Sequence, residues 1–329
     1  MAEASGIGVA AEEVVFRAGD CSFTILPRLG GKIASIRVGD CELLQTPLAS
    51  YGPRTRTMPF DAGDASGWDE CLPSVAACAV ETEDGLAEIP DHGDLWRVEW
   101  REQGTGNREQ DAGSADTSSV TLRGECFSLP LALERTATLI ETEMGWRLSL
   151  DYTVTNIGDY PAPWSWAAHP LFAVEAGDRI VLPDSIRTAR LEGSVAGRLG
   201  RGGDLVAWPI AALAEGGETD LSVVQPPESG IGDKLFAGPL SAAENWCALE
   251  RLRAGVRIKV SFNPAATPYM GLWICYGAWP ERPGPRQMCV ALEPSTAPVD
   301  SLAICGPWSR VLSPGDSVSW PMVVDFEVL

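Results

Sequence analysis

The sequence predicts an all-β chain folded as a large antiparallel β-sandwich, and three observations carry that expectation. Apolar and polar residues alternate with period two in several runs, the signature of strands with one face on a core. Short turn signals separate those runs. The 329 residues include 34 glycines and 25 prolines, which suits many short strands, and long helical periodicity is hard to find.

The elements follow in chain order. Phe23 and Ile25 alternate with Ser22 and Thr24, and Gly39-Asp40 marks a hairpin turn. Residues 102–118 are polar and Gly-rich, with strand patterns on both sides, and read as a solvated hairpin excursion, not a linker. Glu143-Met144-Gly145 forms a turn before Trp146, Leu148, Leu150, Tyr152 and Val154, which alternate with Arg147, Ser149, Asp151 and Thr153. Residues 190–231 are irregular and suggest a long covering loop. Within them Val206 to Glu215 is the best candidate for a short helix. Ala254-Gly255 turns the chain into Val256–Phe262, where apolar residues again alternate with Arg257, Lys259 and Ser261. No repeat or linker divides the chain, so residues 1–329 are expected to form a single β-sandwich domain.

The bulk charge excludes some functions. The chain has 25 Lys+Arg against 45 Asp+Glu, a net charge of -20. Such a balance repels nucleic acid and anionic membranes and opposes phosphorylated substrates, leaving a neutral small molecule as the expected partner. No run of 18 apolar residues suggests a membrane span. Nine cysteines are spread from Cys21 to Cys305 without a C-x-x-C pair, and no signal peptide is visible, so a reduced cytoplasmic protein is expected. Histidines and cysteines are not clustered, so a thiolate-metal site is not expected. Nothing in the sequence sets the oligomeric state.

Chemistry concentrates at few positions. Only two histidines occur, His92 in Asp91-His92-Gly93-Asp94 and His169 in Ala168-His169-Pro170-Leu171-Phe172. Histidine exchanges protons near neutrality, with an unperturbed pKa of about 6.5. Glu293 ends an apolar strand-like run just before Pro294, where a carboxylate facing a cleft could serve as a general base. A surface or ion-paired glutamate at a strand end is the competing reading. No closely paired carboxylates of the glycosidase type are evident. Of the 12 tryptophans, Trp68, Trp96, Trp164, Trp166 and Trp273 fall beside these segments, where a flat apolar face could stack on a sugar.

Taken in order, the segments resemble the galactose mutarotase-like superfamily, the aldose 1-epimerase family. The resemblance begins at Leu29-Gly30-Gly31-Lys32-Ile33 and Glu42-Leu43-Leu44. It runs through Gly67-Trp68-Asp69-Glu70-Cys71-Leu72-Pro73, Asp91-His92-Gly93, and Tyr152 to Asn156 leading to His169-Pro170-Leu171-Phe172. It closes with Leu292-Glu293-Pro294-Ser295-Thr296 and Asp300-Ser301-Leu302.

The resemblance implies an isomerase that interconverts the α and β anomers of a hexose by opening and reclosing the ring, a reaction that requires no cofactor and no metal. It implies Glu293 as the base on the anomeric hydroxyl, His169 as the acid at the ring oxygen and His92 as a supporting hydrogen-bond partner. Asp233, in Gly232-Asp233-Lys234, resembles an aspartate that contacts sugar hydroxyls, and Trp68, Asp69, Trp166 and Arg54 are further candidates for substrate binding. The family's Asn-Arg pair ahead of the histidine is replaced by Arg54 and Arg56 in Gly-Pro-Arg-Thr-Arg, which leaves galactose itself unspecified. Two alternatives stand beside this reading. One is a hexose-6-phosphate 1-epimerase, with Arg54, Arg56 or Arg97 holding phosphate. The other is a non-catalytic carbohydrate-binding protein.

Overall fold

Alternating burial organises the chain into two antiparallel layers. The structure, a computed structural model, describes residues 13–64, 66–103 and 118–329. Val256–Phe262, and Gly145–Asn156 from Leu148 onward, bury every second residue, as their sequences require of strands with one wet face. These two strands flank Ser317–Val328 near the middle of an eight-stranded sheet. The hairpins expected at Gly39-Asp40, Glu143-Met144-Gly145 and Ala254-Gly255 all form.

The second sheet has eleven strands. Its centre runs Trp68–Cys71, Ala167–Ala173, Met288–Ser295, Tyr269–Tyr276 and Ile231–Ala237. One face of these strands meets the smaller sheet. Phe172, Val290, Leu292, Leu272, Ile274 and Leu235 from the larger sheet join Leu133, Leu148, Leu150 and Val324 from the smaller in one core cluster. Each such side chain, fully buried, contributes roughly 1.5–3 kcal/mol of transfer free energy before entropy is counted. The opposite face of the same strands carries Leu171, Cys275, Cys289 and Ala291, a small separate cluster packed with Trp273 and Trp279. That second face is the floor of the site.

Two expectations change. Val206–Glu215 is not a helix. Leu205–Ala207 and Ile210–Ala212 are short strands, Val206 and Trp208 are buried with a spacing of two, and Pro209 just after them has no N–H to extend a helix. Residues 190–231 are not simply a covering loop, because Thr188–Ser194 joins the large sheet beside Ile231–Ala237 and Leu205–Ala207 extends its edge. The excursion at 102–118 lies mostly outside the described residues, and only its flanks, Arg101–Glu102 and Ser118–Glu125, are seen as strands. Among the described residues helical structure is limited to 3-10 turns, and no helix is long and apolar enough to cross a membrane. All nine cysteines are free.

Candidate active site

The loop that presents His92 is built by backbone conformation. His92 and Gly93 both adopt positive φ, 59° and 69°. The second of these needs glycine, because a Cβ there would run into the Leu72 carbonyl. The turn is fastened by His92 N–H to Val75 O at 2.5 Å and Asp94 N–H to Leu72 O at 2.8 Å. Arg97 holds it from below, donating to the carbonyls of Asp91, Gly93 and Met58 while lying over the Trp96 ring. The imidazole of His92 stacks flat on Phe60, with ring centroids 3.7 Å apart and planes 8° from parallel. Its Nδ1 lies 3.0 Å from Asp91 Oδ2.

Sheet register brings His169 and Glu293 together. Ala167 pairs with Ser295 and Leu171 with Ala291, so His169 falls across from Glu293 on the neighbouring strand. Pro170 and Pro294 remove two ladder donors at this point, and no pairing is formed between these two strands at residues 168–170. On the other side Glu293 pairs with Gly271, and Lys234 reaches across that bare position to form an ion pair with Glu293 Oε2. Lys234 Nζ is also 3.5 Å from Asp300 Oδ1. The Asp300 carbonyl in turn accepts from the amides of Val75 and Ala76, locking two loops at the rim.

These groups surround one cavity of ≈ 310 Å³, the low end of the size usual for a small-molecule site. His92, His169, Lys234, Asp91, Asp300 and Gln287 supply its polar lining, and Phe60, Trp273 and Trp279 its aromatic walls. His92 and His169 meet edge to face with centroids 5.0 Å apart. Glu293 lies just beneath, with no exposed surface, one oxygen on Lys234 and Oε1 without a hydrogen-bond partner.

Burial sets the proton affinities. It depresses His169 well below the ordinary imidazole range, helped by His92, Lys234 and Lys32, so this ring rests neutral. Burial raises Glu293, and Lys234 opposes that rise. Burial alone would discharge Lys234, but Asp300 and Glu293 outweigh it and keep the ammonium charged. Burial would also raise Asp91, but the bond and charge of His92 leave it below its usual value. Among the described residues no three His, Cys, Asp or Glu side chains gather as a metal-ligand set.

Of the three residues picked out as catalytic, His92 and His169 line the cavity and Glu293, across the strand from His169, does not; the five picked out for substrate binding are not among the lining residues either. Asp233 points to the other side of its strand, where Arg198 and Ser194 take its carboxylate. Its neighbour Lys234 faces the cavity instead, as strand alternation demands. Trp68 is fully buried against Phe172, and Trp166 is buried with its indole on Glu70. Asp69 accepts from buried Lys32 at 2.6 Å, and Arg54 pairs with Asp64 at 2.6 Å. Of the tryptophans expected near a ligand, only Trp273 lines the cavity. Trp279, Phe60, Lys234 and Asp300 were not foreseen as lining residues. Asp300 had a signal, since it lies in one of the segments carrying the resemblance. Arg56 stacks on Phe127 and lines a separate surface depression, so none of the three arginines considered for phosphate enters this cavity.

The whole architecture is shared with solved proteins. The chain is similar to the Slr1438 protein from Synechocystis sp. PCC 6803, with a TM-score of 0.70 and 16% identity over 100% of both chains. It is similar to a putative aldose 1-epimerase from Escherichia coli K12, with a TM-score of 0.67 and 18% identity over 97% of this chain and 100% of that one. It is also similar to a galactose mutarotase-like protein from Lactobacillus casei, with a TM-score of 0.64 and 15% identity over 96% and 100%. At these identities the likeness is one of fold, an all-β sandwich shared with those solved structures. No protein-family model matches the sequence, and no curated protein matches it.

Proposed function

We propose that this chain is an aldose 1-epimerase-like isomerase acting on a free hexose or related sugar. The observation that carries the reading is the meeting of His92 and His169, 5.0 Å apart on one cavity wall, with Glu293 on the adjoining strand. Opening a hemiacetal ring needs a proton acceptor at the anomeric hydroxyl and a donor at the ring oxygen. Glu293 is the acceptor in this reading, His169 the donor, and His92 a hydrogen-bond partner that steadies the developing charge. Phe60, Trp273 and Trp279 offer flat faces for the apolar side of a sugar. A non-phosphorylated substrate fits best, because no arginine lines the cavity among the described residues and its one lining lysine, Lys234, is already matched by Glu293 and Asp300.

The test is anomer exchange over a panel of sugars, followed by NMR or polarimetry. Glu293→Gln should lower the rate by roughly 10²–10⁴-fold while binding stays measurable. An unchanged rate would refute the assignment. Tight sugar binding with no exchange in the native protein would favour a binding protein, and strong competition by inorganic phosphate would favour the phosphosugar alternative.

A further inference from the structure

We propose that Lys234 is a positioning residue for the anomer exchange, holding Glu293 ionised through their direct ion pair. The inference rests on the isomerase reading and adds a residue to it. Glu293 has no exposed surface, whereas Lys234, with 10% of its side chain exposed, lines the cavity. A carboxylate so enclosed would by burial alone retain its proton and could not act as a base.

The groups facing Glu293 make Lys234 decisive. Cys289 lies on its own strand, His169 and Gly271 on the two flanking strands, and Asp69 and Cys71 one strand further on. His92 and Asp300 approach from the rim. The acids among these groups oppose ionisation, and Lys32 is engaged by Asp69. Lys234 is the cation in direct contact. Its ammonium takes Oε2 and leaves Oε1 without a partner, so one oxygen remains to receive a proton. The step balances on these atoms. The anomeric O–H proton passes to the Glu293 carboxylate, the freed electron pair forms the carbonyl as the ring C–O bond breaks, and the ring oxygen takes a proton from His169. Reclosure on the other face returns both protons.

Two readouts test this on the full chain. One is the titration of the Glu293 carboxyl, followed by NMR with 13C-labelled glutamate and assigned by its loss in Glu293→Gln. The other is the acid limb of kcat/KM for anomer exchange. Lys234→Met should move both midpoints up by about 1–3 pH units, the scale of losing a close opposite charge. Lys234→Arg should restore them toward native values. Asp300→Asn should move them down, because that acid opposes ionisation of Glu293. A folded Lys234→Met protein with an unmoved carboxyl midpoint overturns the proposal. If Lys234→Met does not fold, an unmoved midpoint in Asp300→Asn overturns it. A Lys234-dependent titration in a native protein that catalyses no exchange would overturn the isomerase reading alone.

Discussion

Replacing Arg135 by methionine should cost the fold about 3–5 kcal/mol, the scale of removing one partner from a buried ion pair. Arg135 and Glu70 are 1% and 0% exposed and meet at 2.9 Å inside the sandwich. Glu70 also accepts from Tyr152 at 3.0 Å and Trp166 at 3.1 Å. The variant would leave this carboxylate with two neutral donors and no cation, and would free the Gly31 carbonyl that Arg135 also binds. Burial already pushes the Glu70 carboxyl up to about 7, against the pull of Arg135. A raised carboxyl favours the fold at low pH, and that contribution is lost as pH rises through the folded pKa. Without Arg135 the folded pKa climbs further, so the penalty should be larger near pH 8 than near pH 5, where Glu70 can fold protonated. Urea unfolding followed by tryptophan fluorescence at both pH values measures it. A second change, Glu70→Leu, should recover much of the loss, because apolar replacement of both partners removes the stranded charge. A loss below about 1 kcal/mol near pH 8, the scale of an exposed pair, would refute the reasoning. So would a penalty independent of pH.

The other predictions concern the site. Because burial keeps His169 neutral at rest, its acid form grows as pH falls, until Glu293 takes a proton. The pH profile of kcat/KM for anomer exchange should therefore peak on the acid side of neutrality, and an optimum above about pH 8 would contradict these roles. Gly93→Ala should destabilise the protein by about 1–3 kcal/mol or more, since φ of 69° and the Leu72 carbonyl both oppose a Cβ. It should also slow exchange by displacing His92. A variant with native unfolding midpoint and native rate would show that the turn tolerates the change.

Much of the fold was legible because one-sided strands leave a periodic trace. Trp146–Val154 and Val256–Phe262 read as strands from alternation alone. The helix expected over Val206–Glu215 failed because short strands at a sheet edge carry too few residues to show a period, and because Pro209 lacks the N–H that a helix interior needs. Met288–Ser295 has no clean alternation because both of its faces are covered, by the core on one side and the site's own cluster on the other. The substrate residues failed for a related reason. Asp233 and Lys234 differ only in parity along one strand, and a shift of one residue reverses which side chain faces the cavity.

The sequence by itself determined the kinds of group available: two histidines, a glutamate set before a proline, turn glycines and alternating strands. These follow from local backbone preferences and from the period of burial, which act over a few residues. Only the tertiary structure decided that His92, His169 and Glu293 meet, that Lys234 and not Asp233 joins them, and that the candidate arginines lie elsewhere. Register between strands far apart in the chain fixes those neighbours, and burial then sets the charge each one carries.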